Sequence, residues 1–64
     1  MKAFNVDYGK KVRVLDDEVM IPPEAIQINK GDIITIYELD GMYCNGSKDG
    51  NRIYIGAMTN VELI

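Results

Sequence analysis

Histidine and tryptophan are absent from this chain, and its 64 residues hold one cysteine, one phenylalanine and two prolines. Each shortage excludes something. A lone thiol forms no disulfide within the chain, and without histidine Cys44 cannot complete a closed tetrahedral zinc site. No metal and no cofactor is therefore expected. A cysteine nucleophile would lack its usual histidine base, so Cys44 reads as a small apolar filler on a strand, and no enzymatic activity is predicted. No apolar run approaches membrane-spanning length, and residues 1–7 lack the apolar core of a secretory signal. The expectation is a cytoplasmic protein with no membrane partner.

The chain is long enough for one compact core and too short for two, which predicts a single domain over residues 1–64. A domain this small hides only about 60% of the surface its unfolded chain exposes, and often recruits a second subunit for more. A homo-oligomer through an edge strand, either residues 4–6 or residues 61–63, fits that need.

The formal net charge of −3 is unevenly distributed. Up to Arg13 the cations Lys2, Lys10, Lys11 and Arg13 outweigh Asp7, whereas from Val14 onward nine acids face Lys30, Lys48 and Arg52. Overall acidity repels a phosphate backbone and places generic nucleic-acid binding second to protein binding.

Valine and isoleucine supply fourteen residues and tyrosine four, and the stretches between breakers are too short for a substantial helix. That composition predicts an all-β fold. Phe4 and Val6 alternate before Asp7-Tyr8-Gly9-Lys10, and Val12 and Val14 follow, reading as two short strands. Residues 16–30 contain Pro22-Pro23, which forbids a central strand and predicts a long ordered loop with room for a helical turn over residues 23–26. Gly31-Asp32 opens the strongest strand, residues 33–39, and Asp40-Gly41 ends it. Residues 42–45, a turn over residues 46–51, and residues 52–57 continue as a meander, and an alternating segment closes the chain. The predicted core is Val12, Val14, Ile34, Ile36, Tyr43, Ile53, Ile55, Val61 and Leu63. A one-residue slip in register would invert these faces.

The order of parts resembles the SH3 fold. The residues that carry the likeness are Lys30-Gly31-Asp32-Ile33-Ile34-Thr35-Ile36, similar to the strand opening after that family's long loop, and Asn60-Val61-Glu62-Leu63, similar to its closing stretch. The resemblance covers residues 11–64, with the first ten left as an extra strand or arm. It implies a small SH3-like barrel of five to six strands with a long Pro-containing loop. Eukaryotic members grip proline-rich ligands between aromatic ridges. Here Met42 falls near the groove tryptophan, Ala57 near the groove proline, and Asn60 where the final tyrosine belongs, so that ligand class is not expected. The closer likeness is to SH3-like and KOW-type domains of bacteria and their phages, which implies an accessory protein.

Three groups of residues carry functional readings. Met20, Ile21, Pro22 and Pro23 in the long loop, with Asp40, Met42 and Tyr43 at the neighbouring hairpin, combine adaptable methionines with a stiff Pro-Pro, which suits an unidentified protein partner. The plainer reading is that Ile21 and Ile26 plug the end of the barrel. Tyr8, Lys10, Lys11 and Arg13, with Phe4, Lys48 and Arg52 as further material, offer cations and aromatic faces to nucleic acid. Asp16, Asp17, Glu18, Glu24, Glu38 and Asp40 are the third group, mock phosphates of a decoy that would block a nucleic-acid enzyme. Asn45-Gly46-Ser47-Lys48-Asp49-Gly50 faintly resembles a calcium loop, but Gly56 stands where the bidentate glutamate is needed, so it reads as a plain hairpin turn.

Overall fold

The computed structural model describes residues 1–64. Five strands, β1 (Lys10–Val14), β2 (Ile33–Asp40), β3 (Tyr43–Lys48), β4 (Asn51–Gly56) and β5 (Val61–Leu63), form one antiparallel sheet in the order β4-β3-β2-β1-β5. The sheet does not close on itself, and β4 and β5 are its two edges.

Turn chemistry places the strands. Asp49 and Gly50 both have positive φ (51° and 82°), so the β3–β4 hairpin closes through a two-residue turn with Lys48 opposite Asn51. That backbone matches the right-handed twist of the flanking strands. Gly41, at φ 65°, turns β2 into β3. Met42 therefore lies in a turn and not on a strand, and β3 runs on to Lys48, through residues read from the sequence as turn.

Register then sorts the side chains. Val12 lies opposite Ile34, Ile36 opposite Gly46, Gly46 opposite Ile53, and Cys44 opposite Ile55. Residues directly opposite share a face, so these form the apolar side of the sheet. The buried core is Ala3, Val6, Val12, Val14, Ile28, Ile34, Ile36, Cys44, Ile53, Ile55 and Val61. Two predicted members are corrected. The parity of β3 buries Cys44 and leaves its neighbour Tyr43 half-buried. Leu63 lies opposite Val12 but is 55% exposed. The N-terminal segment covers β5 only as far as Val61, whose N–H donates to the Met1 carbonyl at 2.8 Å.

The N-terminus is the second correction. Residues 4–6 form no strand; Ala3–Asn5 is a 3₁₀ turn that buries Ala3 and leaves Phe4 exposed. Lys2 bridges to Asn60, and the Ala3 N–H donates to the Thr59 carbonyl at 2.8 Å. The segment thus covers the start of β5, one of the edges considered for self-association. No helical turn forms at residues 23–26 either. The Ala25 N–H donates to the Pro22 carbonyl at 3.2 Å with Glu24 at φ 66°, which is an isolated turn. The loop residue that completes the core is Ile28, while Ile26 faces solvent.

Gly46 sits in the middle of this packing. A β-carbon there would run into the Thr35 carbonyl and press on Ile53, beside the register shift of β2 between Ile36 and Leu39. Gly46→Ala should therefore lower stability by about 1–3 kcal/mol through backbone displacement. Gly50→Ala meets open space and should lose about 1–2 kcal/mol from its left-handed torsion alone. Urea unfolding of both variants separates the cases, because only Gly46→Ala should also disturb the amide spectrum across β2 and β3.

Candidate functional site

The long loop between β1 and β2 is tied down at its start, middle and end. At its start the Asp16 carboxylate accepts hydrogen bonds from the Asn60 backbone N–H and from Asn60 Nδ2, both at 2.9 Å, while the Leu15 N–H donates to the Asn60 carbonyl. These contacts hold the Asp16 carboxyl below its ordinary pKa, the backbone bond contributing most. At its end Asp32 accepts from the Asn29 N–H at 2.7 Å and its own N–H returns to the Asn29 carbonyl. Asp32 is likewise held low, first by that Asn29 bond and also by Lys48, 3.2 Å away. Midway, the Met20 carbonyl accepts from the Gly56 N–H at 2.7 Å.

That middle tie and the bond next to it anchor the two halves of the first candidate group on either side of the end of β4. The Gly56 N–H bonds Met20 of the loop, and the next N–H, of Ala57, donates to the Met42 carbonyl of the hairpin tip at 2.9 Å. The Ala57 carbonyl in turn accepts from the Phe4 N–H at 3.1 Å. Gly56 has no side chain, and the Met20 side chain lies over its Cα. Met58 follows on the same turn, closed by the Thr59 N–H to the Gly56 carbonyl. Met42 and Met58 are each 63% exposed, Met20 50% and Phe4 43%. Of the remaining candidates, Ile21 packs against the core, Pro22 and Tyr43 are half-buried, and Pro23 and Asp40 are exposed. Phe4 and Met58 join the group through backbone bonding alone, which no sequence spacing encodes.

The second group divides by strand parity. Lys11 lies opposite Thr35, Thr35 opposite Ser47, and Ser47 opposite Arg52, one continuous row on the face away from the core. Arg13 shares that face, where it pairs with Glu62 at 2.7 Å. Lys10 does not; it stands opposite the core residue Ile36 at the exposed end of β1. Tyr8 reaches the outer face from the preceding turn, its ring 5.2 Å from that of Tyr37, whose hydroxyl lies 3.3 Å from Ser47 Oγ. A depression of about 320 Å³ opens beside the row, lined by Lys11, Thr35, Ser47, Lys48, Asp49 and Gly50 among others. On β4, Tyr54 follows Arg52 two residues on, and its hydroxyl raises the guanidinium above its ordinary pKa.

The acidic group is partly engaged within the chain. Asp16 is bound to Asn60, whereas Asp17, 3.5 Å from Lys30 Nζ, keeps a largely exposed side chain. Cys44 is buried in the core, and desolvation pushes its thiol pKa up, which disfavours the reactive thiolate. Compared with known proteins, the chain matches no family model, no curated protein and no solved structure.

The two loop ties make stability depend on acid. Both carboxyls titrate lower when folded than when unfolded, so the unfolded chain binds more protons as pH falls. Their contribution is complete above the unfolded carboxylate value and is lost on descending through the folded one, between about pH 5 and pH 2. Asp16→Asn should destabilise the protein at neutral pH and make its urea midpoint fall less steeply than that of the native chain across that window. Identical slopes would show that the Asn60 contacts carry no linkage.

Proposed function

We propose that this protein is a non-enzymatic interaction module built on an SH3-like barrel, and that it binds a protein partner through the methionine surface around Gly56 and Ala57. The barrel reading draws support from the strand order β4-β3-β2-β1-β5, from tight turns joining β2 to β3 and β3 to β4, and from a long loop after β1. The binding reading rests on one observation. Consecutive N–H groups of Gly56 and Ala57 hold the Met20 and Met42 backbones on either side of the end of β4, and both side chains are exposed there.

The chemistry of that surface suits a protein. Methionine is unbranched, polarizable and adaptable, and it covers apolar partner surface without a fixed shape. The ligand is not a proline-rich helix, because Met42, Ala57 and Asn60 offer no aromatic ridges for its rings. Backbone ties also lower the ordering cost on docking, since the loop is already fixed at Met20.

The test is capture from nuclease-treated lysate of the source cell with the native protein and with a Met20→Glu/Met42→Glu variant checked for unchanged folding. The native protein should retain a protein species that the variant loses by at least about tenfold, the equivalent of 1.4 kcal/mol. Equal retention by both, or retention of no protein species from the nuclease-treated lysate, defeats the reading.

A further inference from the structure

We propose that the outer face of the sheet is a separate binding site for single-stranded nucleic acid, with phosphates held at Lys11 and Arg52 and a base stacked on Tyr8. The row Lys11–Thr35–Ser47–Arg52 crosses four adjacent strands. With strands about 4.8 Å apart, its two cations are roughly 14 Å from each other at the backbone. Between them lie two hydroxyls, able to donate to phosphate oxygens, and a depression lined by Lys11, Thr35, Ser47 and Lys48, but not by Arg52, opens beside the row.

The cations near the row are already sorted. Lys48, which has the strand parity of Cys44 and Gly46, is neutralised by Asp32 at 3.2 Å, and Arg13 by Glu62 at 2.7 Å. Lys11 and Arg52 pair with no carboxylate, and the group acting on Arg52 is the neighbouring Tyr54 hydroxyl, which leaves both charges for a ligand. Asp49, at the rim of the depression, is the acid that a phosphate must avoid. The row therefore favours anions locally although the whole chain carries −3.

The tyrosines separate nucleic acid from an acidic peptide. Tyr8 is 71% exposed yet fixed against Tyr37, which is itself hydrogen-bonded to Ser47 of the row. A carboxylate-bearing peptide gains from the cations alone. A nucleotide strand gains from the cations and from stacking, and only an unpaired base can reach an exposed ring. Lys10 takes no part because its strand position turns it to the other face.

Fluorescence anisotropy of a short labelled oligothymidylate tests this, with a hairpin duplex and polyglutamate as comparison ligands. The single strand should bind in low salt, and two phosphate contacts should weaken it about sevenfold over a fourfold rise in salt. Tyr8→Ala should weaken binding at least about fivefold with an unchanged unfolding midpoint. Lys11→Gln/Arg52→Gln should flatten the salt dependence, and Met20→Glu/Met42→Glu should bind as the native chain does. Absence of binding in low salt, equal binding of polyglutamate, tighter binding of the duplex, or indifference to Tyr8→Ala overturns the proposal.

Discussion

The parity of the ladder through β1, β2, β3 and β4 is the constraint on which the other features depend. Val12–Ile34, Ile36–Gly46–Ile53 and Cys44–Ile55 place apolar side chains on one face, and Lys11–Thr35–Ser47–Arg52 necessarily falls on the other. A shift of one residue would bury two cations and two hydroxyls and expose the isoleucines. Gly46 permits the register at the point of greatest crowding, where β2 also shifts its pairing. The core and the outer polar row are thus two results of one pairing pattern.

A single small sheet leaves its apolar face open, and segments without regular structure close it. Ala3 and Val6 arrive from the N-terminal 3₁₀ turn, Ile28 from the long loop, and Val19, Ile21 and Ala57 pack at the margin. Burying a side chain such as Ile28 contributes about 1.5–3 kcal/mol, a large fraction of the stability of so short a chain. That gain requires the loop to hold its path, and two of its five acids, Asp16 and Asp32, secure it by binding Asn60 and Asn29, while Asp17, Glu18 and Glu24 are exposed. Acidic residues that look like solvated charge in the sequence are here the fasteners of the core.

Much of this architecture is legible in the residues. Asp49-Gly50 has the chemistry of a two-residue hairpin, and the β-branched run at Ile33-Ile34-Thr35-Ile36 reads as a strand at once. Seven of the nine predicted core residues are buried. Tyr43 and Leu63 are the exceptions. Gly46 conceals the parity of β3, because a glycine in a strand looks like a turn until its neighbours are known. Leu63 follows the correct alternation but lies beyond the reach of the N-terminal cover. Phe4 and Val6 alternate as a strand would, yet a 3₁₀ turn satisfies the local backbone and buries Ala3 instead. The candidate sites show the same division. Met20 and Met42 stand out by type, but their union depends on two long-range hydrogen bonds, and only register separates Lys10 from Lys11.

The arrangement would also let one small domain keep the two proposed surfaces apart. Apolar contact and phosphate contact make opposite demands, the first needing dehydration and the second needing cations that remain hydrated until they meet an anion. Placing the methionines around Gly56 and Ala57, past the end of β4, keeps their dehydration from reaching Lys11, which lies on the face of β1. The strands β2 and β3, which carry Thr35 and Ser47, meet at the Met42 turn, and Arg52 lies near the start of β4, the same edge strand that Gly56 ends. Its outward groups from residues 51–55 make no hydrogen bond to the loops, whereas the Gly56 N–H is fixed to Met20. On the proposed reading, a partner engaging Met20 acts directly on the anchored end of β4, the edge strand on which Arg52 also lies.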